Sequence, residues 1–80
     1  MRTEIINHST VDVYFSETCA ETFTFKEWEG HGKRRVYVSS GAGKQGQLGY
    51  IDMETRQFNK QRSISAISTT AINAYLAQNL

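Results

Sequence analysis

Proline is absent from this 80-residue sequence, and cysteine occurs once, as Cys19. A lone cysteine excludes an intramolecular disulfide. Without proline, the ends of segments must be read from glycine clusters and from changes in hydrophobic period. No apolar run approaches the roughly 20 residues that a membrane-spanning helix needs. The first residues also lack the apolar stretch of a secretory signal, so we expect a cytoplasmic protein with no membrane partner.

The net charge is also small, because nine basic and eight acidic side chains sum to +1. The charges are nevertheless uneven along the chain. Residues 1–30 hold two basic and six acidic side chains, whereas residues 31–80 hold seven basic and two acidic ones. This asymmetry predicts either an acidic and a basic face or, if strands from the two halves pair, a mixture of both signs.

The length and the hydrophobic share of 39% predict a single folded domain over residues 1–80. A chain of this size can build only one small core. Small domains often gain stability from disulfides, metals or a partner subunit. Because no disulfide can form within the chain, self-association is expected.

Alternating hydrophobic and polar residues predict an antiparallel meander of four to five strands within residues 3–60. Val11, Val13 and Phe15 fall on one side of a first strand. Two further alternating segments flank a glycine-containing turn at residues 29–33 and form the clearest predicted hairpin. The strand segments read from the sequence are Thr10–Ser16, Thr22–Trp28, Arg34–Ser39, Gln47–Met53 and a short one around Phe58, with Glu4–Ile6 as a candidate for an adjoining short strand.

From residue 64 to about residue 78 the apolar residues recur at spacings of three and four, which indicates a helix. Ser63 or Ser65 is the expected N-cap. Strands followed by a helix predict a two-layer α+β fold with the helix on one face of the sheet. The apolar stripe consists of Ile64, Ile67, Ala71 and Tyr75, with either Ala74 or Leu76.

A sheet covered by one helix keeps a second face. If Val36, Val38 and Ile51 point toward the helix, their strand neighbours point away from it. Those neighbours include tyrosine and arginine, which together with tryptophan are enriched at the energetic centres of protein interfaces. They can equally be ordinary cross-strand pairs that cover the sheet. The leading hypothesis is a non-enzymatic module that binds a protein partner or itself, with the candidate interaction face Tyr14, Trp28, Arg35, Tyr37 and Tyr50.

The later half of the chain also interleaves basic and aromatic residues. Basic side chains neutralise phosphates and aromatic rings stack on unpaired bases, so a single-stranded nucleic acid is an alternative partner. The low net charge counts against a dedicated nucleic-acid binder. The candidate contacts are Arg34, Arg35, Tyr37, Tyr50 and Arg62.

Motifs for cofactors and metals are weak. Gly41–Gly46 matches G-x-G-x-x-G, but a strand is predicted after it, whereas a dinucleotide site needs a helix there. His8, His31 and Cys19 lack the spacing of a zinc site. No cofactor and no metal are therefore predicted.

Catalytic patterns are weak as well. Glu17 and Glu21 flank Cys19 and should raise the pKa of its thiol, so a buried or inert cysteine is expected. The carboxylate pairs closest in sequence are Glu27 with Glu29 and Asp52 with Glu54, and both pairs border turns. No catalytic residue is assigned, and an enzyme with a site between subunits remains a third hypothesis.

Overall fold

The computed structural model describes residues 2–41 and 46–78, which form six strands and one helix. The strands follow chain order in one antiparallel sheet, and the predicted α+β meander with a C-terminal helix is confirmed, with six strands rather than four to five. Within these residues no helix is long and apolar enough to cross a bilayer. The elements are β1 (Arg2–Asn7), β2 (Thr10–Tyr14), β3 (Ala20–Gly30), β4 (Lys33–Ser40), β5 (Gln47–Asp52), β6 (Gln57–Lys60) and α1 (Ala66–Gln78).

β1 is longer than the sequence predicted. Its six residues are all exposed, so it lacks the alternation that marks a half-buried strand. The strand pairs with β2, and its register shifts between Ile5 and Asn7. The Asn7 side-chain oxygen accepts a hydrogen bond from the Ser9 amide at 2.8 Å and shapes the turn that joins the two strands.

β3 holds the sheet together, because its eleven residues pair with two different neighbours. Residues 20–24 lie against β2, and residues 23–30 lie against β4. The β3–β4 pairing also sets the acidic first half of the chain beside the basic second half. Glu29 lies opposite Arg34, and their side chains form an exposed ion pair at 3.4 Å. Acidic and basic side chains are therefore mixed where β3 meets β4, as expected if strands from the two halves of the chain pair.

The turn between β3 and β4 lies where the sequence predicted it. His31 and Gly32 have φ angles of 52° and 72°, and Gly30 pairs with Lys33 on either side of them. Two consecutive residues with positive φ form the type I′ turn, whose twist matches that of an antiparallel hairpin.

The core lies between the sheet and α1. Phe25 of β3 stacks on Tyr75 of α1, with ring centroids 4.3 Å apart and planes inclined by 12°. Phe15 was expected on the buried side of its strand but is 52% exposed. β2 ends at Tyr14, and the Phe15 amide donates to the Cys19 carbonyl at 3.1 Å within the connecting loop. The buried hydrophobic residues are Val11, Val13, Phe23, Phe25, Val36, Val38, Leu48, Ile51, Ala71, Ile72 and Tyr75.

The helix begins two residues later than predicted. The Ser65 hydroxyl accepts a hydrogen bond from the Ser68 amide at 3.2 Å, so Ser65 rather than Ser63 is the N-cap. Ile64 precedes the helix and packs against the core as a half-buried side chain. Ile72, which lay outside the predicted stripe, is buried with Ala71 and Tyr75. The buried face of α1 is thus rotated slightly from the one predicted.

Replacing Gly49 with alanine should destabilise the fold strongly. Gly49 has a φ of 156°, and a Cβ there would collide with the Asn59 carbonyl oxygen and lie 3.0 Å from the Lys60 Cα. We expect a loss of roughly 3 kcal/mol in the free energy of unfolding. Gly32→Ala is the matched control, because its φ is 72° but no atom lies within 4 Å of the added methyl group. That change should cost only about 1 kcal/mol, and equal losses in urea denaturation would contradict the packing argument.

Tyr75 should make the protein sensitive to alkali. Burial raises the pKa of its phenol above the ordinary value, and the Glu27 carboxylate adds to the shift. The folded state therefore holds this proton more tightly than the unfolded chain. The free energy of unfolding should be unaffected by this group below about pH 9 and should fall as the pH rises past about 10. Between about pH 8 and pH 11, the free energy of unfolding measured by urea denaturation should fall less for Tyr75→Phe than for the wild type. An equal fall in the two proteins would contradict this assignment.

Candidate interaction surface

Alternate side chains of β3, β4 and β5 point away from α1, and we call this surface the open face. Phe25 contacts α1, so Lys26 and Trp28, an odd number of positions further along β3, lie on the other side of the sheet. Trp28 lies directly opposite Arg35 in β4. Tyr37 of β4 lies directly opposite Tyr50 of β5. The strand register therefore brings four of the five predicted interaction residues together.

These four residues form one connected group, which we call the aromatic cluster: Trp28, Arg35, Tyr37 and Tyr50. The Trp28 and Tyr37 rings meet edge to face at 6.4 Å, and the Tyr37 and Tyr50 rings are 5.8 Å apart. The Arg35 guanidinium lies 4.4 Å from the centre of the Tyr50 ring and 5.8 Å from that of Trp28. Both distances are within the range of a cation–π interaction.

Arg35 keeps its positive charge within this group. A hydrogen bond with Tyr37 is the largest cause of a rise in the pKa of Arg35 above its ordinary value, and the nearby Asp52 carboxylate also contributes. Asp52 lies directly opposite Arg35 in β5. The aromatic cluster therefore presents a fixed cation between rings rather than a purely apolar patch.

Trp28 is the most exposed part of the aromatic cluster. Its side chain is 38% exposed, and its ring lies over Gly30, where a Cβ would approach the ring to 2.7 Å. The cluster borders a shallow hollow of about 380 Å³, which is lined by Lys26, Trp28, Tyr37, Ser39 and Gln47. A partner side chain that entered this hollow would contact both the Trp28 and the Tyr37 ring.

Tyr14, the fifth predicted residue, is on the open face but far from the cluster. It pairs with Ala20, eight residues before Trp28 along β3, which corresponds to roughly 26 Å of extended strand. The Arg2 guanidinium lies 4.2 Å from the centre of the Tyr14 ring. No sequence pattern indicated this contact, because it depends on the pairing of β1 with β2.

The structure divides the five candidate nucleic-acid contacts. Arg35, Tyr37 and Tyr50 share the open face. Arg34 alternates with Arg35 and lies on the opposite side, paired with Glu29. Arg62 is exposed in the segment between β6 and α1. Arg34 therefore cannot act with the other candidates on one strand of nucleic acid lying on the open face.

Of the two alternatives for Cys19, buried or inert, the first was wrong, and so was the expected rise in the pKa of its thiol. Its side chain is exposed rather than buried. The pKa of the thiol is lowered rather than raised, first by a hydrogen bond with Ser16 and then by one with Thr18. The hydrogen bonds with Ser16 and Thr18 outweigh the opposing effect of desolvation on the pKa of the thiol.

The other residues considered for metal or cofactor binding do not come together in one site. Within residues 2–41 and 46–78 no three metal-ligating side chains come together. The Gly41–Gly46 loop joins β4 to β5, and its residues 42–45 lie outside the described part of the chain. His31 occupies the β3–β4 turn.

One carboxylate of each pair closest in sequence has a structural partner. Glu29 is in an ion pair with Arg34 and lines, with Glu27, a shallow hollow of about 310 Å³. The Asp52 carboxylate accepts a hydrogen bond from the Glu54 amide at 3.0 Å, and Glu54 lies in the turn rather than on the strand. Asp52 therefore shapes the turn between β5 and β6.

Comparison with protein-family models, with curated proteins and with solved structures found no match to this chain. What the protein does is therefore inferred from its own residues. The open face is the surface on which they assemble into a connected group.

Arg35 should shield Trp28 from solvent. Because the guanidinium lies against the indole ring, Arg35→Ala should raise the rate at which acrylamide quenches Trp28 fluorescence. Trp28 is the only tryptophan of the chain, so the signal needs no assignment. Arg34→Ala is the matched control: it removes the same group one residue earlier, on the opposite side of the sheet, and should leave quenching unchanged. Equal quenching in all three proteins would contradict the contact.

Proposed function

We propose that this protein is a non-enzymatic interaction module that docks on another protein chain through its open face. The observation that carries the proposal is the aromatic cluster. Tryptophan, tyrosine and arginine are the residue types that most often dominate binding energy at protein interfaces. Here they are half-buried or exposed on the sheet face that α1 leaves uncovered.

The organisation of the cluster favours docking over simple coverage of the sheet. Rings and guanidinium already contact one another, so little side-chain freedom remains to be lost when a partner binds. The hollow beside Trp28 and Tyr37 provides a place for an anchoring side chain. A cytoplasmic location and a homo-oligomeric or protein-bound state are parts of this proposal.

Tyr37→Asp should abolish association without unfolding the domain. Tyr37 is the ring that contacts both Trp28 and Tyr50, and a carboxylate there would be desolvated by a docked partner. The matched control is Asn73→Asp, which adds the same charge at an exposed position of α1. Light scattering of the purified proteins across a concentration series, with circular dichroism to check folding, measures the effect. Association retained in folded Tyr37→Asp, or lost equally in Asn73→Asp, would exclude the open face as the docking surface.

Single-stranded nucleic acid is the second candidate. It is favoured by the presence of Lys26, Arg35, Tyr37 and Tyr50 on one sheet face, because stacking and phosphate contacts could then act together. In this case an oligothymidine should quench Trp28 fluorescence at low salt, and added salt should reverse the quenching steeply. Unchanged fluorescence at low salt would exclude this candidate.

A further inference from the structure

We propose that the chain docked on the open face is a second copy of this protein, related to the first by a two-fold axis that lies between the two faces. The inference rests on the proposed function and adds the identity and orientation of the partner. Its basis is that the open face carries opposite charges at its two ends.

One end of the open face is acidic. Glu4 of β1 lies directly opposite Asp12 of β2, so two carboxylates share one cross-strand position. Like charges in that arrangement repel each other. The Thr22 hydroxyl donates a hydrogen bond to the Asp12 carboxylate at 2.7 Å. Arg2, the nearest basic residue on this part of the face, lies against the Tyr14 ring. A cation from outside the chain would relieve the repulsion.

The other end is basic. Lys33 and Arg35 alternate on the open face of β4, and Lys26 lies on the same face of β3. Asp52, opposite Arg35, is the acidic side chain among them. This end therefore presents more positive than negative charge, beside the aromatic cluster.

The two ends are far enough apart to act separately. Asp12 pairs with Thr22 of β3, and Arg35 pairs with Trp28 of the same strand. Asp12 and Arg35 are therefore six positions apart along β3, which corresponds to roughly 20 Å of extended strand. That distance exceeds the screening length of about 8 Å at physiological salt. Thr24 lies on β3 between these two positions, where it is exposed and pairs with Thr10 on one side and Ser39 on the other. Small polar side chains there allow two faces to approach.

A two-fold axis passing near Thr24 places the acidic end of each copy on the basic end of the other. The contact of Asp12 with Arg35 is then made twice. Faces stacked without this reversal would oppose like charges, which complementary interfaces avoid. The described chain measures 42 × 27 × 18 Å. Its broad face is thus large enough to supply the roughly 800 Å² per partner that a standard interface buries.

Reciprocal charge reversal tests this arrangement. Asp12→Lys leaves both positions basic and Arg35→Glu leaves both acidic, so each variant alone should dimerise at least about tenfold more weakly than the wild type. Mixed in equal amounts, they should form a heterodimer. At one of its two contacts the introduced lysine meets the introduced glutamate, and at the other the native Asp12–Arg35 pair re-forms. Sedimentation velocity of each variant and of the mixture measures the masses, and circular dichroism checks folding.

A second pair covers the case in which either variant does not fold. Glu4→Lys and Lys33→Glu change exposed residues at the same two ends and should behave in the same way. Thr24→Lys should also dissociate the dimer, because two like charges would meet at the axis.

The remaining outcomes separate this inference from the proposed function. A wild type that stays monomeric at about 100 μM, or a mixture that does not heterodimerise, overturns the two-fold dimer. If Tyr37→Asp dissociates a dimer that the charge reversals leave intact, docking through the open face stands and the proposed orientation is wrong. A dimer that survives both kinds of change overturns both proposals.

Discussion

The stacked contact between Phe25 and Tyr75 determines how the two faces of the sheet are used. It fixes α1 on one side of β3, and every alternate side chain of the strands is then assigned either to the core or to the open face. A helix of 13 residues is roughly 20 Å long and can cover only one face of the sheet. The opposite face must therefore carry side chains that tolerate water and can still pack, and tyrosine, tryptophan and arginine meet both requirements.

Because β3 is eleven residues long, the open face has two distinct ends. Because one half of the strand pairs with β2 and the other with β4, residues from distant parts of the sequence lie along one continuous face. The aromatic cluster forms at the end shared with β4 and β5. The carboxylates of Glu4 and Asp12 lie at the end shared with β1 and β2. The proposed docking function depends on the first group, and the proposed orientation of a second copy depends on both.

Much of this architecture could be predicted because a period of two and a period near 3.6 are local properties of a sequence. The alternation around Val36 and Val38 was enough to place Arg35 and Tyr37 on the face away from the helix. β1 was harder, since an exposed edge strand has no buried side to create a pattern. The end of β2 before Phe15 depended on hydrogen bonds within the following loop, which hydrophobicity does not encode.

The site was only partly predictable for a related reason. Membership of a face follows from alternation, but distance within a face follows from register between strands. The sequence could therefore name both Tyr14 and Trp28 without showing that they lie at opposite ends of β3. Arg34 directly precedes Arg35, so the same alternation already placed the two on opposite sides, and naming both as contacts for one nucleic-acid strand overlooked it. The pKa of the Cys19 thiol was misjudged because its direction is set by hydrogen bonds with Ser16 and Thr18, which depend on the loop conformation.

The central claim is that the face opposite α1 is the surface on which this protein associates. Backbone amide NMR spectra recorded over a concentration series test it most directly, because they report every strand and the helix together. The account predicts that chemical shifts change with concentration at β3, β4 and β5 around Trp28 and Tyr37, and at β1 and β2 around Asp12, whereas those of α1 stay constant. Changes confined to α1, or spectra that do not depend on concentration, would contradict self-association through the open face.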